Sequence, residues 1–285
     1  SEETVWDPRG HSDPEYHYQE IKAGIEAARS HLPRLDAIGG SSAGVIVDNR
    51  VMVSSLFRGV SAADYPRARD TFLRLQAEYG VPLEVANDGD VTALAGAMSL
   101  GEGRILGIAM GSSEAAGYVD ADMRITGWLN ELAFAPIDYS PSAPADEWSG
   151  DIGCGVQYLT QQAVFRLAPL VGIDLSTTDV LAEKLKIAQA AIESGHEGAR
   201  QIWQTIGVYF GYAIAHYAAF YDVGHVLVLG RVTSGAGGPV IVEQARRVLE
   251  AEFPDLANEI KVSLPDEKSR RVGQAVAAAS LPKVE

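Results

Sequence analysis

Apolar positions recur at helical spacing through DPEYHYQEIKAGIEAARSHLPRL, residues 13–35. Ile21, Ile25 and Ala28 share one face, Asp13 stands where an N-cap belongs, and Pro14 suits the first turn. The pattern then changes. DAIGGSSAGVIVDNRVMVS is apolar and β-branched around a small-residue centre, which predicts strands with DNR as a turn. ARDTFLRLQAEYG predicts a helix ended by Gly80, VPLEVAND a strand, and DVTALAGAMSLG a helix with Asp88 and Asp90 as first-turn acids. RILGIAM and YVDADMRIT predict two strands joined by the loop GSSEAAG. Residues 130–153 are rich in Pro, Ser and Asp and predict irregular chain. VQYLTQQAVFRLAPLVG reads as helical, and so does the stretch 199–221, whose apolar positions cover most faces, as in a helix buried mid-domain. HVLVLG predicts a strand, GPVIVEQARRVLEAEF a helix, EIKVSLP a strand, and SRRVGQAVAAASLP a closing helix of small residues. Helix repeatedly following strand predicts an α/β chain with sheet and helices in layers, and no repeat of solenoid length is visible.

Composition narrows the classes. At 285 residues the chain holds two modest domains or one large one. A net charge of −15 argues against a nucleic-acid surface, because phosphate binding needs clustered Lys and Arg. Cys154 is the lone cysteine, so neither an internal disulfide nor a Cys-based zinc cage can form. The apolar runs are too broken to span a bilayer and no secretory leader is seen, which predicts a cytoplasmic protein with no membrane partner.

Four stretches carry candidate chemistry. GSSAG matches the nucleophile-elbow pattern with Ser42 at its centre, but an elbow needs strand, turn and helix, and here a strand follows; a tight crossing loop is the better account. The six histidines are scattered without metal spacing: His216 reads as a core histidine, His196 and His225 as turn residues. Asp88 falls between a buried strand and a helix start, where ligands bind in open α/β sheets and a carboxylate can act as a general base; capping of the helix by Asn87 or Asp88 is the plainer alternative. VLVLGRVTSGAGGP is strand, glycine-rich loop and helix, a form that brings backbone N–H groups close to anions. Arg231 there can meet a phosphate or simply be solvated.

Taken in order, these pieces resemble the ROK family (repressor, open reading frame, kinase) of the actin-like sugar-kinase fold. IGGSSAGVIVDN looks like the family segment around a Pro-Gly, here Ala43-Gly44, and SLFRGV like the stretch after it. VPLEVANDGDVTALAGA is similar to the Asn-Asp motif and its helix. MGSSEAAGYV occupies the place of the G-T-G-x-G-G-G phosphate loop, NELAF that of G-E-x-G-H, GCGVQYLT the end of the zinc-binding segment, and VLVLGRVTSG the adenosine-binding glycines. The resemblance runs from Asp36 onward. It implies an α/β, two-lobed, actin-like ATPase (ribonuclease H-like) fold: a first lobe of residues 1–87 completed by a C-terminal helix over 267–282, and a larger second lobe of residues 88–266. It further implies a sugar in the cleft and ATP with magnesium mainly on the second lobe. Asp88 would be the base, Gly44, Asn87 and Glu131 would contact the sugar, and Gly111, Ser112, Ser113, Gly117, Gly230 and Arg231 would line the nucleotide. A homodimer is implied as well.

Several positions depart from that pattern. The family's zinc-ligand histidine corresponds to Phe134, and only Cys154 remains of its cysteines, so no metal and no zinc are expected. The glutamate of G-C-L-E is Val156; with Phe134 apolar too, a hexose would lose two polar partners at about 1–3 kcal/mol per unpaired hydroxyl. An altered or deoxy sugar follows as an option. In the phosphate loop three glycines are Ser113, Ala115 and Ala116, and Glu114 adds a charge. Two unit charges about 5 Å apart repel by about 3 kcal/mol at an effective dielectric near 20, unless magnesium offsets it or Glu114 points outward. Arg231 and Val232 replace glycines at the adenosine site and would crowd a purine. The family's opening D-x-G-G-T strand and the two strands after it have no counterpart before the helix at Pro14, and the resemblance implies that the natural protein carries them upstream. Three readings result: a sugar kinase for an unusual sugar, a sugar-binding or sensing homologue that has lost ATP, and a Ser42 hydrolase.

Overall fold

A computed structural model describes residues 6–8, 10–265 and 267–284. Helix α1 (Pro14–Arg29) starts where the pattern places it, with the Asp13 carboxylate accepting from Glu15 N at 2.9 Å. Strand β1 (Ile38–Ser42) is followed by the hairpin of β2 (Val45–Val47) and β3 (Arg50–Val53). The hairpin turns at Asp48 and Asn49, whose φ angles of 49° and 59° are left-handed, a conformation Asn and Asp tolerate. The helix predicted from ARDTFLRLQAEYG is two: α2 (Tyr65–Arg69) and α3 (Thr71–Tyr79), the latter ended by left-handed Gly80. Strand β4 (Leu83–Asn87) pairs with β1 in parallel, and Asn49 locks the hairpin to it, donating to Leu83 O and accepting from Val85 N. Tyr18, Val51, Phe57, Leu75, Leu83 and Val85 form the first core.

Helix α4 (Asp88–Leu100) leads into the second, larger unit. Strands β5 (Ile105–Met110) and β6 (Glu114–Val119) form an antiparallel pair. After α5 (Gln161–Leu167), α6 (Leu181–Glu193) and α7 (Glu197–Tyr217) come β7 (His225–Leu229), α8 (Gly237–Glu252), α9 (Pro254–Glu259), β8 (Lys261–Ser263) and α10 (Glu267–Ala279). The sheet order is β6-β5-β7-β8, with β7 parallel to both its neighbours. The apolar stretch around α7 is buried as expected: Trp203, Ile206, Phe210 and Tyr217 centre the second core. Helices α7 and α8 approach closely because Gly207 and Gly211 face Gln244 and Val248 without a side chain.

Beyond the α2–α3 split, four elements differ from the sequence reading. Strand β6 begins at Glu114, not Tyr118, because Glu114, Ala115 and Ala116 pair with Met110, Ala109 and Ile108. The stretch 156–172 yields only α5, flanked by single 3-10 turns, since Pro169 interrupts it. Helices α6 and α9 were not anticipated.

Helix α4 is clamped on two sides. Ala93 and Ala97 lie against Ile105, Val119 and Leu227 of the second sheet, while Val91 and Ala95 lie against Ala277 and Ala278 of α10. Helix α10 in turn crosses β1 so closely that a Cβ on Gly39 would fall 1.8 Å from Ala278 O. At the other end of α4, Gly89 and Gly117 of β6 touch backbone to backbone: a Cβ on Gly117 would lie 2.1 Å from Gly89 O. No helix among the described residues is long and apolar enough to cross a membrane.

That contact predicts a specific sensitivity. Gly117→Ala has nowhere to put its methyl group and should lower stability by about 3 kcal/mol or abolish folding. Gly101→Asn, at a left-handed helix end with open space around it, should cost less than about 1 kcal/mol. Urea unfolding of both variants checks this, and equal losses would remove the contact from its role.

Candidate functional site

Asn87 ends β4 and Asp88 opens α4, so both stand at the carboxyl end of a parallel strand, beside the turn after β1. Asn87 does two things. Its Oδ1 caps α4 by accepting from Gly89 N at 2.8 Å, and its Nδ2 donates to Gly44 O at 2.7 Å. Gly44 has φ +110° and fits only because it lacks a Cβ, which would meet Val53 O at 2.3 Å. The capping alternative thus describes Asn87. The half-buried Asp88 accepts from Gly89 N at 3.1 Å, and burial raises its pKa against its backbone hydrogen bonds.

Glu131 faces this group from the irregular segment after β6. It is exposed, yet the surrounding walls still withdraw enough water to raise its pKa, and the charge of Asp88 raises it further. The structure therefore brings Gly44, Asn87, Asp88 and Glu131 into one neighbourhood. Two further residues belong to it. Asp90, read from sequence only as a first-turn acid, is 7 % exposed and accepts from Asn130 Nδ2 at 2.7 Å. Burial lifts its pKa to about 6, against the Asn130 and Tyr118 N–H bonds. An acid at the third position of a helix is ordinary in sequence, which is why it did not stand out.

Gly111, Ser112 and Ser113 make the tight turn between β5 and β6, closed by Gly111 N donating to Ser113 O at 3.0 Å. Both serines are exposed. Gly230 and Arg231 follow β7, the parallel neighbour of β5, so the two loops leave the sheet side by side. Gly230 has φ +103°, and its missing Cβ would strike Met110 O at 2.4 Å. Arg231 is exposed, and its carbonyl accepts from Gln189 Nε2 at 2.7 Å. Gly117 stands apart from this group, its space filled by Gly89. Glu193 also bears on the loop: its carboxylate accepts from Ala236 N at 2.7 Å, at the N-terminal end of α8.

Glu114 neither points outward nor lies beside the turn as a free charge. Strand alternation turns Glu114, Ala116 and Tyr118 to the same face, and for Glu114 that face is the second core. It is 4 % exposed, and neither carboxyl oxygen has a protein hydrogen-bond partner among the described residues. One oxygen lies 2.5 Å from where a Gly155 Cβ would be, and Leu132 O lies 2.7 Å from the same point, so backbone as well as side chain requires glycine there. Desolvation pushes the pKa to about 8, so the group is mostly uncharged at neutral pH and the expected repulsion toward a polyanion falls away.

In the segment aligned with the zinc site, Phe134 packs against Trp148 with ring centres 5.5 Å apart. Cys154 is buried, its thiol pKa pushed up by desolvation, and its backbone bridges to Pro136. Val156 is buried in the same small apolar cluster as Cys154. Ser42 ends a strand and is followed by a turn and the strand β2, not a helix, so it lacks the elbow setting.

No protein-family model and no curated protein sequence matches this chain. Solved structures do. A ROK family transcriptional regulator, homologue of the E. coli MLC protein, superposes with TM-score 0.72 at 19 % identity over 93 % of this chain and 68 % of its own. A ROK family glucokinase from Streptomyces griseus, solved with glucose and AMPPNP, gives 0.72 at 18 % identity over 95 % of this chain and 89 % of its own. A ROK hexokinase from Thermus thermophilus gives 0.68 at 20 % identity over 94 % and 87 %. The chain has the actin-like fold of ROK sugar kinases.

The burial of Glu114 predicts a pH effect on stability. The unfolded chain releases this proton near 4.5, as an ordinary glutamate does, and the folded chain near 8, so the folded state holds the extra proton between them. Stability contributed by the neutral group is therefore full below about pH 4.5, declines as pH rises, and is lost above about 8, a change on the order of 5 kcal/mol. Glu114→Gln should remove this slope, so its melting temperature should gain on the unaltered chain between pH 5 and 9. A difference that stays constant with pH would place an ionised or solvated carboxylate at this position.

Proposed function

We propose that this chain binds a sugar between its two lobes and phosphorylates one of the sugar's hydroxyls, with Asp88 as the base. The observation that carries the reading is the setting of Asp88: half-buried, at the carboxyl end of β4, with its pKa raised by burial and Glu131 opposite. A carboxylate held in that way takes a proton more readily than one in water. Gly44, Asn87 and Glu131 would then orient the sugar, and Gly111, Ser112, Ser113, Gly230 and Arg231 the nucleotide. That one protein of this fold was solved with glucose and AMPPNP supports the assignment.

In this reaction the hydroxyl proton passes to Asp88 as the sugar oxygen bonds to the γ-phosphorus of ATP. The bond from that phosphorus to the bridging oxygen breaks, and ADP leaves with the electron pair. Phosphoryl transfer asks the protein chiefly for positioning and charge stabilisation, and a half-buried aspartate at a strand's carboxyl end suits the first demand. Magnesium would supply positive charge to the transferring phosphate. Among the described residues no three metal-binding side chains cluster, so phosphate oxygens and water would be its main ligands, as is usual for this ion. A first lobe of residues 1–87 with 267–282, a second of 88–266, and a homodimer in the cytoplasm complete the reading.

A second reading, a sugar sensor without ATP, is favoured by Glu193. Its carboxylate already occupies Ala236 N at the end of the glycine-rich loop, where negative charge opposes a nucleotide. Calorimetry with millimolar Mg-ATP separates the two: heat of binding is expected, and its absence leaves the sensor. Where a phosphorylated sugar forms, Asp88→Asn should slow its formation by about 100-fold or more with sugar affinity little changed. Unchanged turnover in that variant would take Asp88 out of the reaction.

A further inference from the structure

Two hydrogen bonds hold Asn130 by both ends of its amide. The buried Asp90 carboxylate accepts from Nδ2 at 2.7 Å, and the Tyr221 hydroxyl donates to Oδ1 at 3.0 Å. Reversing the amide would set its oxygen against a carboxylate, so the side chain has one workable orientation. Asn130 is 8 % exposed and directly precedes Glu131, and its own carbonyl accepts from Leu132 N at 2.9 Å, folding the chain tightly around Glu131. The anchors are themselves held by packing. Asp90 directly follows Gly89, its backbone N forms part of the Gly89–Gly117 contact, and its carboxylate also takes a bond from Tyr118 N at 3.4 Å. Tyr221 packs against Tyr118 and Trp128, with ring centres 5.2 Å and 5.7 Å away.

We propose that Asp90, acting through Asn130, is a positioning residue that holds Glu131 opposite Asp88 and so presets the sugar pocket. This rests on the sugar-cleft reading for its consequence, though not for its geometry. The physical logic is economy of motion. Glu131 belongs to an irregular segment with no strand or long helix to fix it, and a side chain on such a segment contributes to binding only when something rigid holds the backbone. Asp90 provides that because it stands on the same helix as Asp88, so the two carboxylates facing the ligand are referenced to one rigid element.

The groups facing Asp90 are Asp88 on its own helix, Glu131 and Asn130 on the segment, Tyr118 on β6, and Tyr221 beyond α7. Substituting Asp90 changes both its charge and its hold on Asn130, so the test must separate charge from position. Asp90→Asn removes the charge and keeps an oxygen to accept from Asn130; Asp90→Ala removes both.

Carbon-13 NMR of the Glu131 carboxyl through a pH titration reads position directly. In Asp90→Ala its pKa should fall back toward that of an ordinary glutamate as the segment swings into water, whereas Asp90→Asn should keep most of the elevation. Equal values in the two variants would overturn the proposal, since charge alone would then explain the effect. Calorimetric titration with glucose and a panel of other free hexoses gives the consequence. Affinity for the tightest binder should drop about tenfold in Asp90→Ala and less than about threefold in Asp90→Asn. Equal affinity losses in both variants would also count against it. If neither the hexoses nor their deoxy and N-acetyl derivatives bind the unaltered chain, the sugar-cleft reading fails while the Glu131 titration still decides the role of Asp90. Should Asp90→Ala not fold, Asn130→Ala breaks the same bond from the segment side and repeats the measurement.

Discussion

The group of residues around Asp88 is referenced to the N-terminal turn of α4. That turn can approach β6 only because Gly89 and Gly117 present no side chains to each other. With the backbones in contact, the Asp88 backbone is held directly against β6. The rest of α4 serves the same end: alanines on one face seat it on the second sheet, and Val91 and Ala95 on another receive α10. A helix of small residues buried from both sides gains little area per residue, but it lets three elements converge within a short distance.

The acids in and near the site show how one residue type takes different roles from its surroundings. Asp88 and Glu131 keep contact with solvent and differ from free carboxylates by partial desolvation. Asp90 is buried but bonded, which limits how far its pKa climbs. Glu114 is buried without a partner, and its pKa climbs to about 8. Coulomb repulsion between a loop glutamate and a polyanion was a sound expectation for a charge in water. It does not apply to a group that the strand turns inward and desolvation keeps protonated.

How much was legible in the sequence varied with the kind of signal. Asp88 was singled out because a buried strand running into a helix start is a local pattern, with Asn87 beside it as the alternative cap, whereas Gly44 and Glu131 came only from the family resemblance. Asp90 and Asn130 were missed because their significance lies in each other, across 40 positions of chain. Gly117 was read as part of a loop for phosphate; its glycine character is explained by Gly89, far earlier in the chain. Glu114 was misjudged through a strand boundary. Had β6 been started at Glu114, period-two alternation would have set it on the face of Ala116 and Tyr118.

By itself the sequence determined the alternation of strand and helix, the buried α7 with its aromatic core, the hairpin at Asp48-Asn49, and the placement of Asp88 at a strand's carboxyl end. These follow from periodicity and turn chemistry, which act over a few residues and are written in the residues themselves. Only the tertiary structure decided which acids meet, which glycines are required by a neighbouring backbone, and that Glu114 is desolvated while Glu131 stays in contact with water. Those properties depend on what lies a few ångströms away in space, and distance in space is set by how all the elements close together, not by order along the chain.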